Sequence, residues 1–267
     1  MKLCVSSSII NFREKAEKTW KSERYKWPKD IFQPVVFFGM YHIGDYLHFL
    51  RHLGKKIIVW AGSDVISLIN SHFPVYALFQ NTECYCENEV EQRELNGVGI
   101  KAEIRPTFLE DINDFPICFK PSQKPQVYLS ANTGREKEYG FDLIRKLSWL
   151  CPEITFHAYG VDQPYRKSRD NIVWHKRVSN EQFNKEIKNY QCGFRPNEHD
   201  GFSEIIAKSV LMGQYPISRI KYPMIDSYET EEELIKLLKD LRNKTKPNIT
   251  ASKYYRKNVN QFPFLKN

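Results

Sequence analysis

A cluster of polar side chains opens one predicted helix. The segment from Arg195 to Pro216, RPNEHDGFSEIIAKSVLMGQYP, predicts a turn followed by a helix that ends near Gly213. A helix that only packs needs a single capping residue, whereas Glu198, His199 and Asp200 stand side by side here. Carboxylates and the amides of a helix N-terminus bind hydroxyl and phosphate groups. The cluster therefore predicts a ligand that carries hydroxyls or phosphates.

A second polar group lies around Arg135. The segment NTGREKEYG follows the predicted strand QVYLSA and precedes a predicted helix from Phe141 to Leu150. In this position the side chains of Arg135 and Lys137, and the amides beside Gly134, can face a ligand at the end of the strand. Guanidinium and ammonium groups bind phosphates through charge-assisted hydrogen bonds. The segment therefore predicts a phosphate-binding loop.

Strand-like and helix-like segments alternate in both halves of the chain. In the first half, PVVFFGMY, KKIIVWAGSDV and YALFQ are typical of buried strands, and GDYLHFLRHLG and VEQRELNG have helical spacing. In the second half, the predicted strands are QVYLSA, EITFHAYG, NIVWHKRV and CGFRP. Such alternation predicts parallel sheets with helices packed outside them.

The alternation stops between Phe108 and Lys124, where prolines and polar residues follow no clean period. We interpret this stretch as a connection between domains. The predicted fold class is α/β, with two Rossmann-like domains facing a cleft and a reduced N-terminal domain. The predicted boundaries are 1–115 for the N-terminal, acceptor-side domain and 124–245 for the C-terminal domain, followed by a basic tail at 246–267. Ligands of such sheets bind outside the carboxyl ends of the strands.

Composition narrows the class of protein. The six cysteines form no C-x-x-C pair, which argues against a structural zinc site and favours reduced, packed thiols. Apolar runs are too short for a membrane span or a secretory signal, so a cytoplasmic protein is expected. The formal net charge of +8 indicates anionic partners: nucleotides, phospholipid surfaces or nucleic acid.

Four ordered segments between Val127 and Ser218 resemble the GT-B glycosyltransferases of the retaining "glycosyl transferases group 1" type. GREKEYGFDLI is similar to the G-R-x-x-x-x-K-G-x-D-L-L phosphate loop of that family, and PEITFHAYG to its P-x-x-x-F-x-x-x-G strand. NIVWHKRVSNEQFNKEI resembles the N-V-x-F-x-G-x-V segment. Gly201, Phe202 and Gly213 keep the spacing of E-G-F-G-x-x-x-x-E-A-x-x-x-G-x-P, and Pro216 follows with one extra residue.

The resemblance implies transfer of a sugar from a UDP- or GDP-sugar to an acceptor hydroxyl, without a cofactor. Retention implies departure of the nucleotide on the front face, with its phosphate oxygen taking the acceptor proton. No D-x-D metal motif is evident, so no metal is expected. Asp200 stands where the first family Glu sits, and His42 and Asp45 are expected near the sugar and acceptor, with helix capping as the alternative for Asp45. The predicted donor-binding residues are Gly134, Arg135, Lys137, Arg195, His199, Gly201, Phe202, Ser203 and Glu204; Tyr41 and Asp64 are predicted on the acceptor side.

Two departures from the family pattern bear on the donor site. Lys208 stands where the family has its second Glu, which usually binds ribose hydroxyls. Glu204 lies one helical turn earlier and either pairs with Lys208 or replaces that carboxylate. In the phosphate loop, Tyr139 stands in place of a lysine, and Lys137 is positioned to compensate.

The acceptor stays open at the level of sequence. The leading expectation is a glycan or lipid-linked glycan, with the basic segments resting on an anionic membrane surface, which would place the chain peripherally at the inner membrane. The first alternative is transfer to hydroxymethylated bases in DNA, because a basic enzyme can bind duplex phosphates and flip a base into its site. The second is a non-catalytic nucleotide- or nucleic-acid-binding protein that keeps the same fold.

Overall fold

The protein folds as two α/β units in a computed structural model that describes residues 1–71, 76–79, 82–131, 134–161 and 169–265. Unit 1 consists of Met1–Asp111, His199–Phe202 and Asn258–Asn267, and unit 2 of Ile112–Glu198 and Ser203–Lys257. Neither unit is therefore one continuous stretch of chain.

Unit 1 is built on a six-stranded parallel sheet with the order β2-β1-β3-β4-β5-β6. Its strands are β1 (Lys2–Val5), β2 (Glu23–Arg24), β3 (Val35–Phe38), β4 (Lys56–Val59), β5 (Glu83–Cys86) and β6 (Glu103–Ile104). Its helices are α1 (Arg13–Thr19), α2 (Ile43–Arg51), α3 (Ser63–Asn70), α4 (Tyr76–Phe79) and α5 (Glu89–Gly97).

The two faces of this sheet carry separate hydrophobic clusters. On one face, Phe49 of α2, Val65 of α3 and Leu95 of α5 pack against the strands. On the other face, Trp20 packs with Phe262, and the two ring centroids lie 5.5 Å apart. Tyr85 of β5 also contacts Phe262, at 5.3 Å. Residues far apart in sequence thus complete one core.

Unit 2 is also built on a six-stranded parallel sheet, with the order β12-β11-β10-β7-β8-β9. The strands are β7 (Gln126–Ser130), β8 (Thr155–Tyr159), β9 (Ile172–His175), β10 (Cys192–Arg195), β11 (Ile217–Ser218) and β12 (Asp226–Ser227). The helices are α6 (Phe141–Leu150), α7 (Asn180–Glu186), α8 (Glu204–Leu211), α9 (Glu231–Asp240) and α10 (Ile249–Asn258).

Helices cover both faces of the unit 2 sheet. Ile144 and Leu147 of α6, with Leu234 and Leu238 of α9, fill one core with the strands. On the other face, Gly193 of β10 lets α8 approach, and its amide donates to Ser209 Oγ at 2.9 Å. None of the helices in the described ranges has the length and apolar character needed to cross a bilayer.

The structure confirms the predicted α/β class, with two parallel sheets. YALFQ was predicted as a strand and this prediction is wrong: Tyr76–Phe79 is helical, and Phe79 packs on Trp60 with ring centroids 5.8 Å apart. The strand is instead Glu83–Cys86, whose cysteines take the buried positions. Residues 246–267 also differ from the expected tail, because α10 buries Ala251 and Tyr255.

The turn before α6 depends on one glycine. Gly140 has φ of 82°, and a Cβ added there would collide with the ring of Pro196. We expect Gly140→Ala to lower the free energy of unfolding by about 2–4 kcal/mol, because it adds backbone strain to a steric clash. Gly134→Ala should cost about 1 kcal/mol, because Gly134 has φ of 84° but open space around it. Urea unfolding of both variants measures the difference, and equal losses would contradict the role assigned to Pro196.

Candidate functional site

Two arginines stack on one tyrosine at the carboxyl ends of the unit 2 strands. Arg195 is the last residue of β10, and its Cζ lies 4.2 Å from the ring centroid of Tyr139. The Cζ of Arg135 lies 5.6 Å from the same centroid, and Arg135 Nε donates to Glu138 at 2.8 Å. A terminal nitrogen of Arg135 donates to the same carboxylate at 2.5 Å, and cation–π contact holds both guanidinium planes against the ring. This arrangement suits a phosphate-bearing ligand.

A compact turn presents these groups. The amide of Gly134 donates to Glu136 Oε1 at 3.0 Å, and the amide of Gly140 donates to the carbonyl of Lys137 at 3.1 Å. The side chain of Lys137 is exposed. The predicted donor residues Gly134, Arg135, Lys137 and Arg195 therefore lie together at one edge of the unit 2 sheet.

Helix α8 begins with a conventional cap and carries a buried lysine. Ser203 Oγ accepts from the amide of Ile205 at 3.3 Å. Lys208 is 1% exposed; its Nζ donates to Asn180 Oδ1 at 3.1 Å and lies 3.6 Å from Glu204 Oε2. The buried ammonium thus has polar partners, as burial of a charge requires. Glu204 pairs with Lys208, one of the two arrangements expected from the sequence.

Residues 199–202 belong to unit 1, although sequence reasoning placed them with the second half of the chain. The amide of Phe202 donates to Glu87 Oε2 at 2.7 Å. Asn88 Nδ2 donates to the carbonyl of Asp200 at 2.8 Å. His199 Nε2 lies 2.7 Å from Glu94 Oε2. We call the segment 199–202 the HDGF loop.

The glutamates and asparagine that hold the HDGF loop were missed by the sequence reasoning. Glu87 and Asn88 follow β5 directly, and Glu94 lies within α5. The signal available in the sequence was a run of polar residues, CENE, at the carboxyl end of a strand, which is where α/β sheets bind ligands. The run is not recognised from the sequence because YALFQ, just before it, is predicted as the third strand.

Two glycines allow close backbone approach beside the HDGF loop. A Cβ added to Gly201 would overlap Glu87 Oε2, and one added to Gly62 would lie 2.7 Å from the amide nitrogen of Gly201. Gly62 has a φ of 97°, a backbone conformation that residues other than glycine rarely adopt. Asp200 Oδ1 accepts from the amide of Gly201 at 3.1 Å. The loop thus has a defined backbone shape within unit 1.

Three buried carboxyl groups lie in the same part of unit 1. Burial raises the pKa of Asp64 to about 7 and that of Glu87 to about 8. Burial, and then the nearby Glu87, raises the pKa of Glu91 well above its usual range. Glu91 Oε2 accepts from the amide of Glu87 at 2.6 Å, whereas Oε1 has no hydrogen-bond partner among the described residues. Each of these carboxyl groups therefore keeps its proton to a higher pH than a carboxyl group in water.

The residues predicted on the acceptor side have structural partners. Asp64 is fully buried and accepts from the amides of Met40, Ala61 and Val65, each at 3.0 Å. The Tyr41 hydroxyl donates to the carbonyl of Ala61 at 2.9 Å, and burial raises the pKa of that hydroxyl.

Asp45 caps helix α2. Its Oδ2 accepts from Ser6 Oγ at 2.8 Å, from the amide of Tyr41 at 2.9 Å and from that of His42 at 3.2 Å. His42 keeps a side chain that is 42% exposed, and its Nε2 lies 2.6 Å from Ser7 Oγ. Asp45 thus makes the contacts of a helix cap, which is the alternative role considered for it from the sequence. The imidazole of His42 is partly exposed.

No cluster of three or more His, Cys, Asp or Glu side chains suited to a metal ion occurs in the part of the chain that the structure describes. Cationic groups are instead present at the unit 2 edge.

The fold defined by these two sheets is the GT-B fold, which the comparisons with solved structures confirm. Searches against protein-family profiles and curated sequences find no match. The apo form of the lipopolysaccharide outer core galactosyltransferase WaaB superposes with a TM-score of 0.61 at 12% identity, over 97% of this chain and 79% of WaaB. AviGT4, a glycosyltransferase involved in avilamycin A biosynthesis, gives a TM-score of 0.58 at 7% identity, over 100% of this chain and 95% of AviGT4.

Other solved structures that match are longer proteins. The pneumococcal O-GlcNAc transferase GtfA, in complex with UDP and GlcNAc, gives a TM-score of 0.58 at 11% identity over 87% of this chain. The chain spans about half the length of GtfA, 55%, and of TarM, 50%. Identities at this level establish the fold, and the resemblance to GT-B glycosyltransferases expected from the sequence is confirmed at that level.

Proposed function

We propose that this chain is a glycosyltransferase that moves a sugar from a nucleotide-sugar to an acceptor hydroxyl, with retention. The observation that carries the proposal is the stack of Arg195, Tyr139 and Arg135 at the carboxyl ends of strands in a GT-B fold. This is where open α/β sheets bind ligands. Paired guanidinium groups match a diphosphate better than they match a neutral sugar or an apolar ligand.

In this proposal the unit 2 cations bind the leaving diphosphate. Arg135, Arg195 and Lys137 neutralise the charge that grows on the phosphate oxygens as the glycosidic bond breaks. Positioning and electrostatic stabilisation then supply the rate enhancement, and the departing phosphate oxygen takes the acceptor proton. A UDP-sugar is the first donor to test, since GtfA binds UDP and GlcNAc; a GDP-sugar is the second.

Asp200 is assigned to the transferred sugar. Its carboxylate lies in a loop whose backbone is held by Glu87 and Asn88, so it can accept hydroxyl donors from a fixed position. His42, with an exposed imidazole, is assigned to the acceptor side. The proposed acceptor is a glycan or a lipid-linked glycan, and a lipid-linked acceptor accords with the expected contact between basic segments and an anionic membrane surface.

Removal of Arg195 should weaken nucleotide binding. A charge-assisted hydrogen bond contributes about 1.5–3 kcal/mol, so we expect Arg195→Ala, and likewise Arg135→Ala, to raise the Kd for UDP and for the UDP-sugar about tenfold or more. Isothermal titration calorimetry measures both ligands. Arg145→Ala is the matched control, because the α6 side chain of Arg145 is 40% exposed and lies 3.5 Å from Asp142. Unchanged UDP affinity in the Arg195 variant would remove the stack from the donor site.

A catalytic test separates an enzyme from a binding protein of the same fold. Wild-type protein should release nucleoside diphosphate from one nucleotide-sugar in a screened set, and Arg195→Ala should release it more slowly. Tight nucleotide-sugar binding without release, in the presence of a range of glycan acceptors, would favour the non-catalytic alternative.

A further inference from the structure

Eight large hydrophobic side chains between residues 25 and 71 of unit 1 are exposed. Phe32, Ile43 and Leu53 are 74%, 68% and 65% exposed. The full set is Trp27, Phe32, Ile43, Leu47, Leu50, Leu53, Ile66 and Ile69. Single exposed hydrophobic residues are normal, but a contiguous group on the surface of a folded domain indicates an interaction site.

Five of these side chains lie on α2 or on the two loop segments that meet at its C-terminal end, and we call them the α2 face: Phe32, Ile43, Leu47, Leu50 and Leu53. Ile43, Leu47 and Leu50 recur at i, i+4 and i+7, so they share one side of α2, while Phe49 is turned into the core.

The loop before β3 lies against the C-terminal end of α2. The amides of Leu53 and Gly54 donate to the carbonyl of Ile31 at 2.9 and 3.0 Å. These bonds bring the segment of Phe32 against the end of α2, and a Cβ added to Gly54 would lie 2.6 Å from the backbone of Phe32.

The same stretch of chain is cationic at its surface. Lys26, Lys29 and Arg51 are exposed, and exposed Lys55 lies 3.1 Å from Glu83. The carboxylates of residues 25–71, all of which the structure describes, belong to Asp30, Asp45 and Asp64, and these are 0%, 8% and 0% exposed. Within residues 25–71 the exposed charges are therefore positive, which makes this stretch complementary to a negatively charged, partly apolar surface.

We propose that the α2 face docks unit 1 on an anionic lipid bilayer. In this arrangement the hydrophobic side chains enter the boundary between headgroups and acyl chains, and Lys26, Lys29 and Arg51 contact lipid phosphates. A second copy of the chain fits less well, because two-fold pairing of the α2 face would bring its cations near one another. The inference concerns lipid binding alone, so it stands or falls independently of sugar transfer.

Vesicle sedimentation of the full chain tests the proposal. The probes are vesicles of phosphatidylcholine alone and of phosphatidylcholine mixed with phosphatidylglycerol. We expect binding to the anionic vesicles, weakened by added salt because exposed charges are screened. Phe32→Ser combined with Leu53→Ser should lower the partition coefficient about tenfold. Lys26→Glu, Lys29→Glu and Arg51→Glu together should lower it at least about tenfold.

Matched controls lie in unit 2. Trp149→Ser removes a hydrophobic side chain that is 67% exposed, and Lys236→Glu with Lys239→Glu and Lys253→Glu removes three exposed cations. Both control proteins should bind vesicles like the wild type. Circular dichroism and size-exclusion chromatography check that each variant is folded.

Three outcomes would overturn the proposal. The first is wild-type protein that stays in the supernatant with anionic vesicles. The second is loss of binding in the unit 2 charge variant equal to that in the unit 1 charge variant, which would indicate attraction by net charge. The third is a wild-type dimer that the Phe32 and Leu53 substitutions dissociate while lipid binding is unchanged, which would assign the α2 face to a second copy.

Discussion

Replacement of Asp200 by asparagine should reduce sugar transfer about 100-fold or more and leave the affinity for bare UDP or GDP nearly unchanged. Asparagine keeps the volume and an oxygen that can accept from the amide of Gly201, as Asp200 Oδ1 does at 3.1 Å. What is lost is the negative charge, which strengthens hydrogen bonds from the hydroxyls of the sugar. A bare nucleotide has no such sugar. Calorimetry should therefore show nearly unchanged affinity for the nucleotide, while kinetics with the nucleotide-sugar should show slower transfer.

A neighbouring carboxylate provides the control for this prediction. Glu198 has a side chain that is 85% exposed, so Glu198→Gln should leave transfer close to that of the wild type. If Asp200→Asn weakened binding of the bare nucleotide as much as binding of the nucleotide-sugar, Asp200 would belong to the phosphate or ribose site. The assignment of Asp200 to the sugar would then be wrong.

A rise in pH from about 6.5 to about 8 should destabilise the protein through the buried carboxyls of unit 1. The folded-state pKa values of Asp64 and Glu87 are raised to about 7 and about 8, and that of Glu91 lies well above its usual range. In the unfolded chain these groups ionise near pH 4, so above that pH the folded state holds more protons. The free energy of unfolding therefore falls as pH rises through the folded-state values.

Measurements from about pH 6.5 to about pH 8 isolate this effect. Burial lowers the pKa of His157 to about 4, so this histidine makes the unfolding free energy rise with pH, but only at pH values below that range. Glu91→Gln mimics the protonated acid and should make the fall in unfolding free energy with pH smaller than in the wild type. Urea unfolding at several pH values measures both slopes. Glu232→Gln, an exposed α9 substitution, should keep the wild-type slope. An identical slope in the Glu91 variant would mean that Glu91 is already ionised at neutral pH.

Much of the fold could be predicted because buried parallel strands leave strong apolar patterns. PVVFFGMY, KKIIVW, QVYLSA and EITFHAYG became β3, β4, β7 and β8. The strand Glu83–Cys86 escaped prediction because cysteines between glutamates have no apolar period, although Cys84 and Cys86 are buried. The helix at Tyr76–Phe79 was missed because a short aromatic run reads equally well as a strand.

The candidate site could be predicted only in part. Residues 134, 135 and 137 and Arg195 were all predicted to bind the donor, and the structure brings Arg135 and Arg195 to Tyr139. The position of the HDGF loop could not be predicted from the sequence, because its hydrogen bonds to Glu87 and Asn88 join residues more than a hundred positions apart. Long-range polar contacts of this kind leave no periodic signal. The roles assigned to the individual site residues stay predictions.

The scattered make-up of unit 1 fixes an order in which the protein can mature on the ribosome. Phe262, which packs between Trp20 and Tyr85, is synthesised after every residue of unit 2. The HDGF loop likewise emerges long after the β5 segment that holds it. The first hundred residues therefore wait with an incomplete core until the C-terminal segment is available. Nascent chains stalled before Phe262 should expose apolar surface from unit 1 and be the ones that chaperones bind.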